Sequence, residues 1–266
     1  MALTPQVMGI VNVTPDSFYA ASRTTLPHDA IALGLEMFRL GANVVDVGGE
    51  STRPGARGVE VEEERARVLP VVTALARAGR VSVDTQKPAV ARDAVAAGAT
   101  IVNDVTGTLV DLAGELGVSY VAMHRLGDSA TMQDDPQYGD VVQEVCDYLF
   151  SLAVRARDGG VKDLWLDPGI GFGKTVQHNL ALIAHVDRFV QLAETFHAGV
   201  LLGTSRKRFL SHLGTQPLAA EERLEGSLAT QAWAYLHGAT MVRVHDVKSA
   251  VQLRELVVRQ TEEVIA

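Results

Sequence analysis

The sequence predicts a single α/β domain over residues 1–266, folded as an eight-stranded (β/α)8 (TIM) barrel. Short apolar strands alternate eight times with longer amphipathic segments. The 266 residues divide into eight units of about 33, near the usual size of one barrel unit. A polar or ionisable side chain stands at the end of every predicted strand, where such barrels place their active sites. We therefore expect the functional site at the C-terminal ends of the strands.

The strands are predicted from short runs of apolar and β-branched residues that lead into polar residues or glycine. Runs this short and apolar, lying between helices, are typical of parallel strands that are covered on both faces. The eight predicted strands span residues 7–13, 44–47, 81–83, 101–104, 120–123, 164–166, 200–202 and 241–244.

The helices are predicted from the amphipathic stretch that follows each strand, with prolines near the starts and glycines just past the ends. Proline suits the first helical turn, and glycine suits the residue that ends a helix. The eight predicted helices span residues 27–40, 61–77, 88–97, 109–116, 138–157, 180–195, 220–237 and 248–264.

An open, doubly wound sheet is the alternative architecture, and the residues at the end of the first strand argue against it. Such sheets usually carry a glycine-rich dinucleotide-binding turn there, whereas this chain has Val13, Thr14, Pro15 and Asp16. No proline- or serine-rich linker divides the chain. The sequence thus favours one barrel domain.

Composition limits the classes of partner. The formal net charge of −8 argues against nucleic acid or an anionic membrane as the main partner, so any anion-binding site must be local. The single cysteine, Cys146, excludes an internal disulfide or a cysteine zinc cluster and is interpreted as a buried small hydrophobe. The N-terminus lacks a secretory pattern and no apolar run reaches transmembrane length, so we expect a cytoplasmic protein.

The polar residues at the strand ends form the candidate site. They are Asn12, Asp46, Asp84, Asn103, Asp104, His124, Asp167, Ser205, Lys207, Arg243 and His245. Any one of them alone could be a helix cap or a turn residue, and an isolated aspartate more often is. Polar groups at all eight strand ends indicate a shared site.

Three of these residues predict a ligand rich in hydrogen-bond donors. Asp84, Asn103 and Asp167 are expected to meet in a mostly apolar cavity, where unpaired carboxylates are costly. A ring edge with several N–H groups, of the guanidine-like pyrimidine type, would suit them. Lys207 is the nearest cation that could neutralise a carboxylate and bind a ring carbonyl. Metal binding is the alternative, although these positions offer no histidine partner or dense oxygen cluster.

A cationic group follows the last two strands. Residues 205–208 and the pair Arg243 and His245 lie where barrels frequently bind phosphate. The alternative is a solvated basic turn, above all at Arg208. Arg243 lies within an apolar strand and should need a partner.

The loops after the first two strands are long and rich in glycine, proline and hydroxyl residues. Loops of this kind can close over a substrate and exclude water. Phe18 and Arg53 are the residues expected to fold over the site, although both loops could also be ordinary surface segments.

Taken together, the motifs closely resemble those of dihydropteroate synthases over essentially the whole chain. No single segment is decisive, but their ordered occurrence at eight strand ends is highly specific. The matching segments are residues 8–18, 46–55, 82–85, 102–105, 123–124, 166–175, 203–207 and 243–247.

The resemblance implies a cytoplasmic transferase of folate biosynthesis, commonly a homodimer, that condenses 6-hydroxymethyl-7,8-dihydropterin diphosphate with p-aminobenzoate. Small molecules are the implied partners and Mg²⁺ the implied cofactor. The implied catalytic residues are Arg53, Lys207, Arg243 and His245. The implied pterin ligands are Asp84, Asn103, Asp167 and Lys207. The implied p-aminobenzoate pocket, where sulfonamides compete in this family, comprises Phe18, Thr52, Pro54, Phe172 and Ser205. Asn12, Arg243 and His245 would hold the diphosphate, with Mg²⁺ near Asn12.

The first loop departs from the family pattern. Members usually continue after the phenylalanine as Ser-Asp-Gly-Gly, whereas this chain has Tyr19, Ala20, Ala21 and Ser22. The resemblance gives that aspartate a part in closing the loop over the pterin. A synthase with a remodelled loop is the main interpretation, and a weakened synthase or an inactive pterin-binding paralogue is the alternative.

Overall fold

A computed structural model describes residues 4–14, 27–51, 58–128 and 131–265, with side chains described as far as residue 259. Four predicted site residues lie outside the described ranges: Phe18, Thr52, Arg53 and Pro54. The departing segment 19–22 lies outside them as well.

Eight parallel strands close into a barrel in sequence order, which confirms the predicted fold class. Their bounds are β1 Gln6–Asn12, β2 Val44–Gly48, β3 Arg80–Asp84, β4 Ile101–Asp104, β5 Ser119–Met123, β6 Leu164–Asp167, β7 Gly199–Leu202 and β8 Met241–Val244. The pairing of β1 with β8, in which Met8 lies opposite Arg243, completes the ring.

Helices follow each strand in the described parts of the chain. They are α1 Pro27–Arg39, α2 Val61–Leu75, α3 Pro88–Ala96, α4 Val110–Glu115, α5 Val141–Asp158, α6 Val176–Ala184, α7 Val186–Glu194, α8 Leu224–Leu236 and α9 Val247–Ile265. Among these described residues, no helix is both long enough and apolar enough to cross a bilayer.

The helices differ from the sequence prediction by three residues or more in three places. The predicted helix 180–195 begins earlier and is two helices, because the chain bends at His185 between α6 and α7. The predicted helix 138–157 begins only at Val141, where the Asp140 carboxylate caps the N–H groups of residues 142 and 143. The predicted helix 220–237 opens with a short 3₁₀ turn, Ala220–Arg223, before α8.

The main core lies between the strands and the surrounding helices. Leu75, Leu149 and Phe189, from three different helices, are fully buried against the barrel's outer surface. Cys146 lies in the same layer as a free, buried thiol, as predicted. This layer fixes each helix against its strands and therefore fixes the strand ends that carry the site.

A second, smaller core fills the barrel interior on the side of the N-terminal ends of the strands. It consists of Met8, Val44, Ile101, Val121, Trp165, Leu201 and Met241, one inward-facing side chain from each of seven strands. Because side chains alternate across a strand, the residue two positions later faces the same interior. Asp46, Asn103, Asp167 and Arg243 stand in that position on β2, β4, β6 and β8. The barrel interior is thus an apolar floor beneath a polar layer.

Candidate active site

A cavity of about 330 Å³, counted with its opening, lies above the apolar floor. Its lining residues come from β3, β4, β5, β6 and β8 and from the segments that follow β4, β6 and β7: Asp84, Asn103, Val105, Met123, Asp167, Phe172, Gly203, Lys207 and Arg243. Five of these nine residues are polar or charged. All four residues predicted to hold a pterin lie together in it.

Arg243 crosses the cavity to two carboxylates on neighbouring strands. Its Nε donates to Asp46 Oδ2 at 2.6 Å, and its Nη2 donates to Asp84 Oδ2 at 2.7 Å. Burial would lower the pKa of the guanidinium, but the two carboxylates more than offset this and raise it. We expected a partner for Arg243 because it lies within an apolar strand, and the structure gives it two, Asp46 and Asp84.

One carboxylate oxygen of Asp84 lacks a hydrogen-bond partner in the described part of the chain. This oxygen, Oδ1, is buried. Burial raises the pKa of Asp84 to about 7, although the nearby Arg243 guanidinium acts to lower it. A buried acceptor without a donor is costly, so this oxygen calls for an N–H group in the cavity.

Asn103 is held beside Asp84 by Asp46. The register pairs Asp84 with Asn103 across β3 and β4. The Asn103 amide nitrogen donates to Asp46 Oδ2 at 2.9 Å, and both side chains are almost completely buried. Asp46 is among the predicted strand-end residues, but nothing in the sequence indicated this contact across 57 positions.

Asp167 and Lys207 form the opposite wall. The Asp167 carboxylate accepts the Gly169 N–H at 2.8 Å, while burial raises its pKa and Lys207 opposes that rise. Lys207 donates to the Ile170 carbonyl, and its ammonium lies 4.5 Å from the centre of the Phe172 ring. Burial lowers the pKa of Lys207 to about 8, against the pull of Asp167.

A second buried lysine behind this wall was missed by sequence reasoning. Lys174 Nζ lies 2.9 Å from His124 Nδ1 and donates to the Phe172 carbonyl at 3.0 Å. Burial lowers the pKa of Lys174 to about 7 and that of His124 to about 3. Lys174 stands in a turn and not at a strand end, so its only sequence signal was its place in the glycine-rich segment 169–175.

Ser205 and His245 connect the ends of β7 and β8. The Ser205 hydroxyl lies 3.0 Å from His245 Nδ1 and accepts the His245 backbone N–H at 3.1 Å. Ser205 was predicted to shape the p-aminobenzoate pocket, and His245 was predicted to hold the diphosphate. The structure places these two side chains in contact with each other. Asn12 lies half-buried at the end of β1.

The basic run 205–208 does not act as one cationic group, contrary to the sequence expectation. Arg206 is buried and forms two hydrogen bonds of 2.7 Å with the Asp246 carboxylate. Lys207 faces the cavity, whereas Arg208 is exposed. Neighbours in sequence diverge here because Arg206 adopts a left-handed backbone with φ of 54°.

A buried ionic network supports the start of the second loop. Lys87 binds the carboxylates of Glu50 and Glu64, and Thr85 donates to Glu64 at 2.6 Å. This places a fixed end on the loop that carries Arg53. Within the described ranges, no cluster of three or more histidine, cysteine, aspartate or glutamate side chains could hold a metal ion.

Residues 8–245 match the family described as "Pterin binding enzyme". The chain is 42% identical to the dihydropteroate synthase of Escherichia coli K12, over 95% of this chain and 90% of that protein.

Solved structures agree over the same length. Dihydropteroate synthase of Yersinia pestis, solved with a sulfonamide drug, superposes with a TM-score of 0.90 at 37% identity and covers 97% of this chain and 95% of its own. The Xanthomonas albilineans enzyme, solved with 4-aminobenzoic acid, gives a TM-score of 0.86 at 42% identity, covering 97% and 93%. The latter enzyme has also been solved with 7,8-dihydropteroate, at a TM-score of 0.82 and 38% identity, covering 97% and 93%.

Proposed function

This chain belongs to the dihydropteroate synthases, and we propose that the mouth of its barrel carries out their reaction with the residues described above. The enzyme is a transferase of folate biosynthesis that acts on small molecules. It condenses 6-hydroxymethyl-7,8-dihydropterin diphosphate with p-aminobenzoate and releases diphosphate and 7,8-dihydropteroate.

The pterin would bind in the cavity between β3, β4 and β6. The observation that carries this assignment is the buried, unpartnered Oδ1 of Asp84, which stands beside Asn103 and opposite Asp167 in the described part of the chain. The amino group and ring N–H groups of a pterin would supply the donors that these acceptors lack. Lys207 would donate to the ring carbonyl and offset the charge of Asp167.

The diphosphate would lie above β1 and β8, near Asn12, Arg243 and His245. Arg243 uses its Nε and one Nη2 hydrogen on carboxylates, and a guanidinium has five N–H groups, so donors remain for an anion. Mg²⁺ binds oxygen ligands and usually keeps substrate phosphates and waters among them, so the Asn12 side-chain oxygen would be one ligand beside the diphosphate. When bound there, Mg²⁺ would supply charge stabilisation to the leaving diphosphate.

The p-aminobenzoate would lie at the outer rim of the pterin. Phe172, whose ring lies over the Lys207 ammonium, would form one side of this pocket together with Ser205. Phe18, Thr52 and Pro54, outside the described ranges, would complete it from the first two loops, and Arg53 would close over the site.

Positioning and charge would drive the reaction. The C–O bond at the pterin methylene breaks and its electron pair leaves with the diphosphate, while the arylamine nitrogen forms the new C–N bond and loses a proton. Arg243 and His245 would stabilise the departing anion, and one such interaction is worth roughly 3 kcal/mol in a preorganised site. Asp84 and Asp167 would tolerate positive charge that develops on the pterin ring. The arylamine is a weak neutral nucleophile, so its placement matters more than a strong base.

Diphosphate release tests this proposal directly. The purified chain is incubated with pterin diphosphate, p-aminobenzoate and Mg²⁺, and free diphosphate is measured over time. We expect release that depends on p-aminobenzoate and is inhibited by a sulfonamide. Tight pterin binding without release above background would instead identify an inactive paralogue and overturn the synthase mechanism.

Arg243→Ala is the informative variant, and its affinities for the free pterin and for the pterin diphosphate are measured by direct binding. Since Arg243 contacts Asp84 as well as facing the proposed anion site, the variant should lose affinity for the free pterin too, but more for its diphosphate. Equal losses for the two ligands would contradict the anion role. Arg208→Ala, which changes an exposed neighbouring arginine, serves as the matched control.

A further inference from the structure

Asp46 lies outside the set of residues proposed to touch substrate, yet it is fully buried at the centre of that set. Its Oδ2 accepts hydrogen bonds from Asn103 at 2.9 Å and from Arg243 at 2.6 Å. Its Oδ1 is buried without a hydrogen-bond partner among the described residues. An ionised carboxylate is only an acceptor, so the partners of Asp46 must turn their donors towards it.

We propose that Asp46 is a positioning residue that sets the specificity of the site by fixing the Asn103 amide. An asparagine side chain can present either a carbonyl oxygen or an NH₂ group to a ligand. Because the Asn103 nitrogen donates to Asp46, the Asn103 amide oxygen is the atom that can accept a hydrogen bond from a ligand in the cavity. This inference rests on the proposed pterin site and adds a determinant of what that site accepts.

The consequence is a row of acceptors along one side of the cavity. Asp84 Oδ1, Asn103 Oδ1 and the Asp167 carboxylate come from β3, β4 and β6. Such a row selects a ring edge that carries adjacent N–H donors and rejects one that carries a carbonyl there, since two acceptors would then face each other without a proton. Arg243, bonded to the same Asp46 oxygen, is held against Asp84 and keeps Asp84 Oδ1 as the free one.

The test compares two ligands that differ at one position. 6-Hydroxymethyl-7,8-dihydropterin carries an amino group on the pyrimidine edge, and its 2-oxo analogue carries a carbonyl oxygen in its place. Direct binding of each is measured by calorimetry on the intact chain, without turnover. We expect the wild-type protein to prefer the amino ligand. Asp46→Asn replaces a group that only accepts by an amide that can also donate, so the Asn103 amide is no longer held in one orientation. Binding of the amino ligand should weaken about tenfold, the effect of one buried hydrogen bond to the ligand lost. The preference for the amino ligand over the oxo ligand should fall with it.

Exchanging the two side chains gives a sharper readout. Asn103→Asp alone should also weaken pterin binding, although it adds an acceptor, because the new carboxylate would lie within hydrogen-bond distance of the Asp46 carboxylate as a like charge. The double variant Asp46→Asn with Asn103→Asp keeps the net charge and lets residue 46 donate to residue 103. We expect it to bind the pterin more tightly than either single variant. If Asp46→Asn does not fold, Asn103→Asp and the double variant decide the question.

Asp104→Asn is the matched control. Asp104 is a fully buried carboxylate on β4, next to Asn103, whose partners are Thr106, Leu109 and Tyr120 and not the cavity. It should melt at a lower temperature and keep the ligand preference. An unchanged preference in Asp46→Asn, an equal fall in Asp104→Asn, or additive losses in the double variant would each overturn the role of Asp46. Failure of the wild-type protein to bind the pterin would overturn the proposed function instead.

Discussion

At the scale of single residues, the cavity is lined by ionisable groups whose pKa values burial has moved towards neutrality. The pKa of Asp84 is raised to about 7, and the pKa of Lys207 is lowered to about 8. Ligand binding as proposed needs Asp84 ionised as an acceptor and Lys207 protonated as a donor. The two groups therefore set opposite limits on the useful pH range.

The expected pH profile of kcat/KM for pterin diphosphate is a bell. Binding should rise as Asp84 loses its proton through about pH 7 and fall as Lys207 loses its proton above about pH 8. The kcat/KM profile reports the free enzyme, so initial rates at low substrate concentration are the measurement. Lys207→Arg should move the alkaline limb to higher pH, because arginine stays protonated there. An alkaline limb that stays in place in this variant would contradict the assignment to Lys207.

At the scale of an element, the turn between β6 and α6 holds the Phe172 side of the site against β5. Gly169 has φ of 69°, and a Cβ atom there would lie 1.8 Å from the His124 carbonyl oxygen. Lys174 crosses beneath the same turn to reach His124 and the Phe172 carbonyl. The backbones of the turn and of His124, the residue after β5, are thus in direct contact, with no room for a side chain at residue 169.

Gly169→Ala should damage both stability and pterin binding. The left-handed backbone alone costs an alanine about 1 kcal/mol, and the clash adds a displacement of the turn that carries Phe172. Gly160→Ala is the matched control, since Gly160 has φ of 76° and nothing within 4 Å of the added Cβ among the described residues. Denaturant unfolding and pterin titration of both variants separate the two effects. Equal losses in the two variants would show that the contact with β5 is unimportant.

The segment after β7 is tied to the segment after β8 by Arg206 and Asp246. Removing one partner of a buried ion pair usually costs about 3–5 kcal/mol, so Arg206→Met should destabilise the fold strongly. It should also disturb the neighbouring contact of Ser205 with His245. Arg92→Met breaks an exposed pair with Glu115 and should leave the unfolding free energy nearly unchanged. Similar unfolding midpoints for the two variants would show that the Arg206 pair adds nothing beyond a surface pair.

The sequence was sufficient for the parts of the site that depend on strand position. Asp84, Asn103 and Asp167 each stand at the inward-facing end of a strand, so period-two alternation and barrel closure bring them together. Arg206, Lys174 and the Asp46 contact could not be predicted this way. Arg206 has a left-handed backbone that turns its side chain away from the cavity. Lys174 lies in a glycine-rich segment and not at a strand end. The contact of Asp46 with Asn103 joins side chains that are 57 positions apart in sequence.

At the scale of the whole molecule, the closed ring makes the strands mutually dependent. The two tryptophans report on different parts of it: Trp165 is buried in the barrel floor on β6, and Trp233 is half-exposed on α8. If residues 1–266 form one domain, both should report the same unfolding transition.

A ligand of the pterin site should therefore shift the unfolding transition by the same amount whichever probe reports it. At a free concentration of about one hundred times Kd, binding to the folded state alone adds about 2.7 kcal/mol to the unfolding free energy. Trp233→Phe leaves Trp165 as the sole tryptophan, whose fluorescence reports the barrel floor, and circular dichroism reports the helices. A ligand shift seen in fluorescence and absent from circular dichroism would show that the barrel and its helices unfold separately.

Within the described residues, the apolar floor of Met8, Ile101, Trp165 and their neighbours also closes the chamber at its bottom. The molecule that occupies the bottom has to enter first and leave after whatever lies above it. If the pterin lies beneath and the arylamine at the rim, as proposed, the two substrates would have to add in a fixed order. Product-inhibition patterns would show this order, whereas random addition of the two substrates would mean that the chamber has a second route in.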